Sequence, residues 1–232
     1  MGGGLRAKPG EMALAHHGVL FLDELPEFQP RVLEALRQPM ESGEAVVARA
    51  NYHITYPARF QLITAMNPCK CGRAGEPGHT CRQGPRCAAD YQQRISGPLL
   101  DRMDIQIELS AVRASDLTLP VPKEKSVDVA KRVAKARAIQ LARFAELGHP
   151  NLRTNAQADG DVLEAITVLD AAGTALIRDA ADAMNLSARG YHRVLRVART
   201  IADLDGAQHI ARLHLAEALS YRQKPAGLRI AA

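Results

Sequence analysis

The chain has 232 residues, of which 47% are hydrophobic, only 4% are aromatic and none is tryptophan. This length suits one large domain or two small ones, and the few aromatic residues predict an aliphatic core rather than a β-sandwich. No apolar run approaches the roughly 18 residues that cross a bilayer, and no apolar signal segment is seen, which favours a cytoplasmic protein without a membrane partner. The net charge of +5 lies entirely in residues 113–232, with 18 basic and 13 acidic residues. This basic half fits a polyanionic partner as well as an ordinary solvated surface.

The first half of the chain predicts strands with short helices between them. Residues 18–22 are a continuous apolar run of the kind found in parallel strands, and residues 60–67 are a second such run. Between them, residues 29–44 have helical spacing and residues 45–56 alternate like a β-hairpin. A last alternation in this half, at Ile105, Ile107 and Leu109, predicts one more short strand.

From Leu119 the pattern changes to helices. A proline-containing linker is followed by apolar residues that recur every three or four positions. Helices are predicted at about 126–147, 160–170, 174–184, 188–204 and 209–222. Ser187 is a suitable N-cap, and Asp205 with Gly206 a suitable stop. The fold predicted is an α/β domain at 1–118 followed by a small all-α domain at 119–232.

Two adjacent carboxylates, Asp23 and Glu24, follow the first apolar run. Ligands of open α/β sheets bind at the carboxyl ends of the strands, so this pair lies where a ligand of such a sheet would bind. An apolar strand followed by Asp-Glu has the form of a Walker B motif. In that motif the aspartate holds the magnesium ion of a nucleoside triphosphate and the glutamate orients the attacking water. The pair equally suits the N-terminus of the next helix, where carboxylates are stabilised.

Three later polar residues favour the nucleotide interpretation. Asn67 ends the second apolar strand, where its amide could orient water beside a γ-phosphate. Arg102 precedes the predicted third strand, where its guanidinium group could reach the phosphate of a nucleotide bound to an adjacent subunit. Arg189 lies in the first turn of a predicted helix, whose positive end would act on the same anion. Each arginine alone also fits a surface ion pair, but the ordered set favours a nucleotide site.

Four segments carry a resemblance to a known family: PGEMALAHHGVLFLDELPEF, PARFQLITAMNPC, RISGPLLDRMDI and SARGYHRVLRVARTIADL. Nearly the whole chain resembles the magnesium-chelatase-like AAA+ ATPases, and most nearly their competence-related YifB/ComM subfamily. The resemblance implies ATP with Mg²⁺, a homo-oligomeric ring that is commonly a hexamer, a partial AAA+ core and a helical lid. It also implies a Walker B pair at Asp23 and Glu24, a hairpin at 45–56, sensor 1 at Asn67, an arginine finger at Arg102 and sensor 2 at Arg189.

The sequence departs from this family at the phosphate-binding loop. No G-x-x-x-x-G-K-[ST] motif occurs in the 232 residues, so the Lys and backbone N–H cradle for the phosphates is missing. The resemblance places that loop upstream of Walker B. We therefore expect the chain to be the C-terminal part of a longer protein or a truncated relative, with an incomplete sheet in residues 1–112. Alone, it should bind ATP poorly and hydrolyse it negligibly.

All four cysteines lie within nineteen residues, at Cys69, Cys71, Cys81 and Cys87. In a cytosolic chain such clustering favours a metal over structural disulfides, and four thiolates would suit a closed structural zinc site. His79 is a possible replacement ligand. The spacing is not the usual paired C-x-x-C, so four reduced thiols in a loop remain the alternative.

Two further groups of residues bear on a nucleic-acid partner. The predicted hairpin carries Arg49, Asn51, Tyr52 and His53 near its turn, which could track a phosphate backbone and stack on a base. A plain solvated hairpin is the other interpretation. On the predicted helix 188–204, one stripe holds Arg189, Arg193, Arg196 and Arg199. This stripe can face nucleotide or form ion pairs with Asp179, Asp182 or Asp203.

Three functions follow from these observations. The first is a segment of an AAA+ ring ATPase, an enzyme in its full-length form, that couples ATP hydrolysis to helicase-type work on DNA. The second is a chelatase-type motor that drives metal insertion through a partner protein. The third is a non-catalytic, zinc-bearing interaction module, which the missing phosphate loop favours for this chain by itself.

Overall fold

The computed structural model describes residues 2, 7–49, 52–72, 86–109, 112, 116, 118, 120 and 124–222. The chain divides into two compact units, the first ending at Met103 and the second beginning at Asp104. The predicted domain boundary at 118/119 remains a prediction. Among the described helices, none combines the length and the apolar character that a bilayer crossing requires.

The first unit combines two small sheets with short helices. Its helices are α1 (Glu11–Leu14), α2 (Pro30–Glu34), α3 (Arg37–Ser42), α4 (Cys87–Gln92) and α5 (Gly97–Leu100). Its strands are β1 (Val19–Leu22), β2 (Glu44–Arg49), β3 (Tyr52–Pro57) and β4 (Gln61–Thr64). β1 pairs with β4 in parallel, with Val19 opposite Gln61 and Leu22 opposite Thr64. β2 pairs with β3 antiparallel. The predicted parallel strands and the predicted hairpin are therefore confirmed.

One face of the β1–β4 sheet packs on the core of the first unit. Leu20 and Leu22 join a cluster that includes the buried Leu25, Leu33 and Leu99. The opposite face carries apolar side chains that are exposed among the described residues: Val19, Phe21 and Ile63, at 54%, 59% and 42%. Parallel sheets are normally covered on both faces. The small sheet with one open face fits the predicted partial AAA+ core.

The segment predicted as one helix at 29–44 forms two helices, α2 and α3. Gly43 ends α3 with φ +71°, a left-handed conformation that glycine adopts without a Cβ clash. A Cβ at this position would lie 2.7 Å from Cγ of Arg59. The carbonyl of Gly43 then accepts the N–H of Ala58 at 2.7 Å, which places the hairpin directly after the helix.

The second unit is helical in its described residues. Its elements are α6 (Ser126–Glu146), a 3₁₀ turn (Asn155–Gln157), α7 (Gly160–Ile166), α8 (Ala171–Met184), α9 (Ala188–Leu204) and α10 (Arg212–Ser220). All five predicted helices are present, with ends that differ by up to four residues. The predicted caps also hold: Ser187 Oγ accepts the N–H of Gly190 at 3.0 Å, and Gly206 has φ +71°. Ile177, Val194 and Leu215 lie in the centre of the core that joins α8, α9 and α10.

A buried ionic cluster ties α6 and the 3₁₀ turn to α9. The side chain of Asp203 is fully buried and is paired with Arg143 and with Arg199. Asn155 Nδ2 also donates to Asp203 Oδ2 at 2.8 Å. Burial lowers the pKa of Arg199, and the Asp203 carboxylate opposes that shift. Since every carboxylate oxygen has a donor, this cluster is a specific link between the elements it joins.

The strand predicted at Ile105, Ile107 and Leu109 is wrong. Residues 105–109 form no strand, and those three side chains are 54%, 65% and 83% exposed. The N–H of Gln106 donates instead to the carbonyl of Tyr221 at 2.9 Å. Alternation alone does not make a strand, because the ladder needs a partner, and none lies beside this segment in the part of the chain that the structure describes.

Candidate nucleotide and metal sites

The two carboxylates lie directly beyond the last residue of β1, and both are exposed. The N–H of Glu24 donates to Oδ1 of Asp23 at 2.9 Å. Glu24 itself has φ +50°, a left-handed conformation that is uncommon for a residue with a side chain. Such strain costs on the order of 1–3 kcal/mol and persists where the surroundings impose it. The predicted Walker B pair thus includes a residue with a strained backbone, Glu24, at the end of β1.

Hydrogen bonds beyond the strand pairing hold this corner against the neighbouring strand. The N–H of Ala65 donates to the carbonyl of Leu22, and the N–H of Leu25 donates to the carbonyl of Ala65, both at 3.0 Å. Leu25 is buried and opens a 3₁₀ turn that ends at Glu27. The backbone on either side of Glu24 is therefore fixed to the end of β4.

Asn67 lies at the same edge of the sheet. It follows the end of β4 by three residues and is exposed. Because β1 and β4 run in parallel, their carboxyl ends share one edge, and Asp23, Glu24 and Asn67 all follow those ends. Carboxylate and amide oxygens are ligands that Mg²⁺ accepts, and the exposed edge leaves room for phosphate and water. The donor set therefore fits a magnesium ion bound to a nucleotide.

Arg102 has a different environment from the one expected of it. Its side chain is buried, with Nη1 donating to the carbonyl of Pro98 at 2.8 Å and Nη2 paired to Oε1 of Glu41 at 2.7 Å. It follows α5 and precedes irregular chain, so the expectation that it stands just before a strand is wrong. It lines a cavity of about 330 Å³ together with Arg37 and Glu34. Its role as a finger toward a neighbouring subunit remains a prediction.

Arg189 lies in the first turn of the seventeen-residue helix α9 and is exposed. Its location at a capped helix N-terminus is as predicted, and the partial positive charge of that end suits an anion. Arg189 belongs to the second unit, whereas the other predicted nucleotide residues belong to the first. Its function as sensor 2 remains a prediction.

Three further arginines of the α9 stripe, Arg193, Arg196 and Arg199, have identified protein partners. Arg193 pairs with Asp104 at 2.5 Å, and Arg196 donates to the carbonyl of Ala158 at 2.8 Å. Arg199 pairs with Asp203, which was one of the predicted partners, whereas Asp179 pairs with Arg178. Most of this stripe therefore holds the second unit together. Sequence spacing could not identify Asp104 or Ala158, because neither belongs to α9.

The predicted hairpin is present from Glu44 to Pro57, but its tip is only partly described. His53 is exposed, which suits a residue that meets a ligand. Residue Asn51 and the side chains of Arg49 and Tyr52 lie outside the described part of the chain. A contact of this tip with nucleic acid remains a prediction.

Three of the four cysteines come together. The sulfur atoms of Cys69, Cys71 and Cys87 all lie within 4.8 Å of one another, and Cys69 and Cys87 are buried. The first two follow β4, whereas Cys87 opens α4. Cys81 and His79 lie outside the described residues. The predicted cluster is thus present for its three described members.

The cluster fits a zinc ion with a small adjustment. Two sulfurs bound at about 2.3 Å in tetrahedral geometry lie about 3.8 Å apart. Sγ of Cys69 and Sγ of Cys71 are 2.8 Å apart, so these two atoms would have to move about 1 Å further apart to bind an ion together. Cys71 lies in a turn that ends at Gly72, which has φ +78° and where an added Cβ would meet no atom of the described residues within 4 Å. This turn leaves space for the movement.

Two family models together match nearly the whole chain. The family described as "Magnesium chelatase, subunit ChlI" matches residues 1–117, and "Magnesium chelatase, subunit ChlI C-terminal" matches residues 123–222. The chain belongs to the magnesium chelatase ChlI family. Both units of this ChlI-family chain are therefore covered by the family pattern, as the four sequence segments predicted.

Curated relatives place the chain within this family. Competence protein ComM of Haemophilus influenzae is 45% identical over 223 residues, which is 96% of this chain and 42% of that protein. Protein YifB of Escherichia coli is 43% identical with the same coverage. The magnesium-chelatase 38 kDa subunit of Rhodobacter capsulatus is 30% identical and is covered to 55%. The chain matches the ComM/YifB subfamily and spans about half the length of its relatives.

Several residues that contact the candidate site residues were missed by sequence reasoning. Glu41, which holds Arg102, lies 61 positions earlier in the chain. Gln92 and Arg94 contact the loops that carry the predicted site residues, at Pro68 and at Pro26. No local periodicity connects residues so far apart. A signal does exist for Tyr91, since it stands four residues after Cys87 on the buried face of α4.

Proposed function

We propose that this chain is part of an AAA+ ring ATPase that couples ATP hydrolysis to remodelling of, or movement on, DNA. The observation that carries the proposal is the common edge of β1 and β4, where Asp23, Glu24 and Asn67 follow the two strand ends. Family membership supports an ATPase, and the similarity to competence protein ComM of Haemophilus influenzae supports a role in competence. A cytoplasmic location belongs to the proposal, because ATP and reduced thiols are both found there.

Each residue has a defined role in this proposal. Asp23 holds the magnesium ion of ATP, and Glu24 accepts a proton from the attacking water or orients it. Asn67 orients the same water through its neutral amide without competing for the ion. Arg189 binds phosphate at the N-terminus of α9, and Arg102 stabilises the developing charge in the site of a neighbouring subunit. Bound MgATP supplies the phosphoanhydride bond that is broken.

The ATPase proposal predicts a clear difference between variants of the edge residues. In the complete gene product, Glu24→Gln should lower kcat for ATP hydrolysis by about 10²–10⁴-fold, because the amide cannot accept the proton of water. ATP affinity should be retained, since Asp23 still holds the metal. Steady-state phosphate release and equilibrium binding of a fluorescent ATP analogue measure the two quantities. Residues 1–232 alone should hydrolyse ATP negligibly.

A matched variant makes this result interpretable. Glu146→Gln removes an exposed carboxylate at the end of α6 and should leave kcat unchanged. If Glu24→Gln keeps more than half of the wild-type rate, the β1–β4 edge is not the hydrolytic site. Substantial turnover by residues 1–232 alone would instead show that no separate phosphate loop is needed.

DNA distinguishes this proposal from its two alternatives. Single-stranded or branched DNA should stimulate the ATPase of the complete gene product, and binding should weaken steeply as salt rises. A chelatase-type motor is supported by the 30% identity to the magnesium-chelatase 38 kDa subunit of Rhodobacter capsulatus, and it would hydrolyse ATP without responding to DNA. A non-catalytic zinc module would show neither hydrolysis nor DNA binding.

A structural zinc ion at Cys69, Cys71 and Cys87 is part of the proposal, with Cys81 as the fourth ligand. Purified residues 1–232 should contain one zinc per chain, measured by atomic emission after gel filtration. Cys87→Ser should abolish the bound zinc, because it removes a buried ligand at the start of α4. His209→Ala, which removes an exposed imidazole in the second unit, should keep it. Unchanged zinc in Cys87→Ser excludes this site.

A further inference from the structure

We propose that the metal bound by Cys69, Cys71 and Cys87 braces the Walker B corner through helix α4. Loss of the metal would then loosen Glu24 and its neighbours as well as the cysteine loop. The inference rests on the zinc site proposed above, and it gives that site a role in controlling the ATPase edge. It assigns α4 and Arg94 a positioning function.

The first link joins α4 to the loop that follows β4. Cys87 is the first residue of α4, so a shared metal would fix the start of the helix to Cys69 and Cys71. At the other end of the helix, Nε2 of Gln92 donates to the carbonyl of Pro68 at 2.8 Å. Pro68 immediately follows Asn67. The helix is therefore held to the Asn67 loop at both of its ends.

The second link joins the end of α4 to the turn that follows Glu24. Nη1 of Arg94 lies 3.3 Å from the carbonyl of Pro26 and 3.4 Å from Oε2 of Glu27. Tyr91, one turn earlier, is buried. Burial raises the pKa of Tyr91, and the nearby carboxylates of Glu27 and Glu24 raise it further. This side of α4 thus faces the turn at 24–27.

The corner needs support because Glu24 is strained. Its left-handed backbone is held on one side by the hydrogen bond from Leu25 to Ala65. The contacts of Arg94 hold the same turn further along, at Pro26 and Glu27, but both partners of the Arg94–Glu27 pair are nearly half exposed. Exposed pairs of this kind are weak by themselves. A metal that fixes Cys87 keeps α4 in place and so lets these weak contacts restrain the corner.

Hydrogen exchange can measure this coupling, because the amides of the corner are hydrogen-bonded. The N–H groups of Glu24, Leu25, Glu27 and Phe28 all have acceptors within the first unit. We expect a chelator added to residues 1–232 to raise exchange in peptides spanning 23–28 at least about threefold, together with 64–72. Peptides from α8, in the second unit, should not change.

The variant Arg94→Gln separates the link from the metal site. It should retain zinc, exchange rapidly at 23–28 even with zinc bound, and show no further response to chelator at those amides. Arg178→Gln breaks an exposed ion pair of similar type in α8 and should behave as wild type at 23–28.

Three results would overturn this inference or one part of it. A chelator response limited to 64–72 and α4, with 23–28 unchanged, overturns the coupling while leaving the metal site in place. Absence of zinc from the purified chain overturns the inference at its first link. Neither result bears on the ATPase proposal, since Glu24→Gln tests that separately in the complete gene product. A chelator response at 23–28 that persists in Arg94→Gln assigns the coupling to another contact and overturns the role of Arg94.

Discussion

Replacing Asp203 by asparagine should lower the free energy of unfolding of the second unit by about 3–5 kcal/mol. The carboxylate is fully buried, and Arg143, Arg199 and Asn155 all donate to it. Asparagine has nearly the same shape, so packing is preserved while the negative charge is lost. Two guanidinium groups, one of them 3% exposed, would then remain without a compensating charge. Urea denaturation followed by circular dichroism measures the change.

The control for this prediction is an exposed ion pair of the same type. Asp179 pairs with Arg178, and both side chains are more than 70% exposed. Asp179→Asn should therefore change stability by less than about 1 kcal/mol. If Asp203→Asn costs no more than this control, the buried cluster is not what joins α6 to α9. The stability of the unit would then come from its apolar contacts alone.

The helical half of the molecule was predictable from sequence because its signals are local. Apolar residues at three- and four-residue spacing gave all five helices, and Ser187 and Gly206 marked the ends of α9. The strand at 105–109 was predicted by the same kind of local pattern and is absent. A strand depends on a partner from elsewhere in the chain, so alternation is necessary for an amphipathic strand but does not suffice.

The site was predictable where chain topology alone places residues together. Parallel pairing of β1 and β4 brings the positions after Leu22 and Thr64 to one edge, which a sequence pattern can anticipate. The environment of Arg102 was not predictable, because its partner Glu41 comes from α3. Arg94 was missed for the same reason, since its contacts lie 67 and 68 positions earlier. Side-chain contacts between distant segments leave no periodic signal.

Arg102 can either stabilise the first unit or act as an arginine finger toward a neighbouring subunit, and a pair of variants separates these two roles. In this structure its guanidinium is buried against Glu41 and Pro98, an arrangement that would stabilise the first unit. As an arginine finger it must reach phosphate in a neighbouring subunit. In that role Arg102→Ala should lower kcat of the assembled gene product by about 10³–10⁵-fold. Phosphate release and thermal unfolding should both be measured, because loss of a buried arginine also destabilises the fold.

Mixing subunits isolates the finger role from the structural one. A ring containing Arg102→Ala and Glu24→Gln subunits has some interfaces where an intact Glu24 meets an intact Arg102 from its neighbour. About a quarter of the interfaces in an equal, random mixture are of this kind, so activity should reappear although each variant alone is inactive.

Glu41→Gln serves as the control, because it removes the pairing partner of Arg102 while leaving the guanidinium. It should lower stability and retain turnover. If the mixture stays as inactive as its components, Arg102 does not act across the interface, and the effect of Arg102→Ala arises within its own subunit.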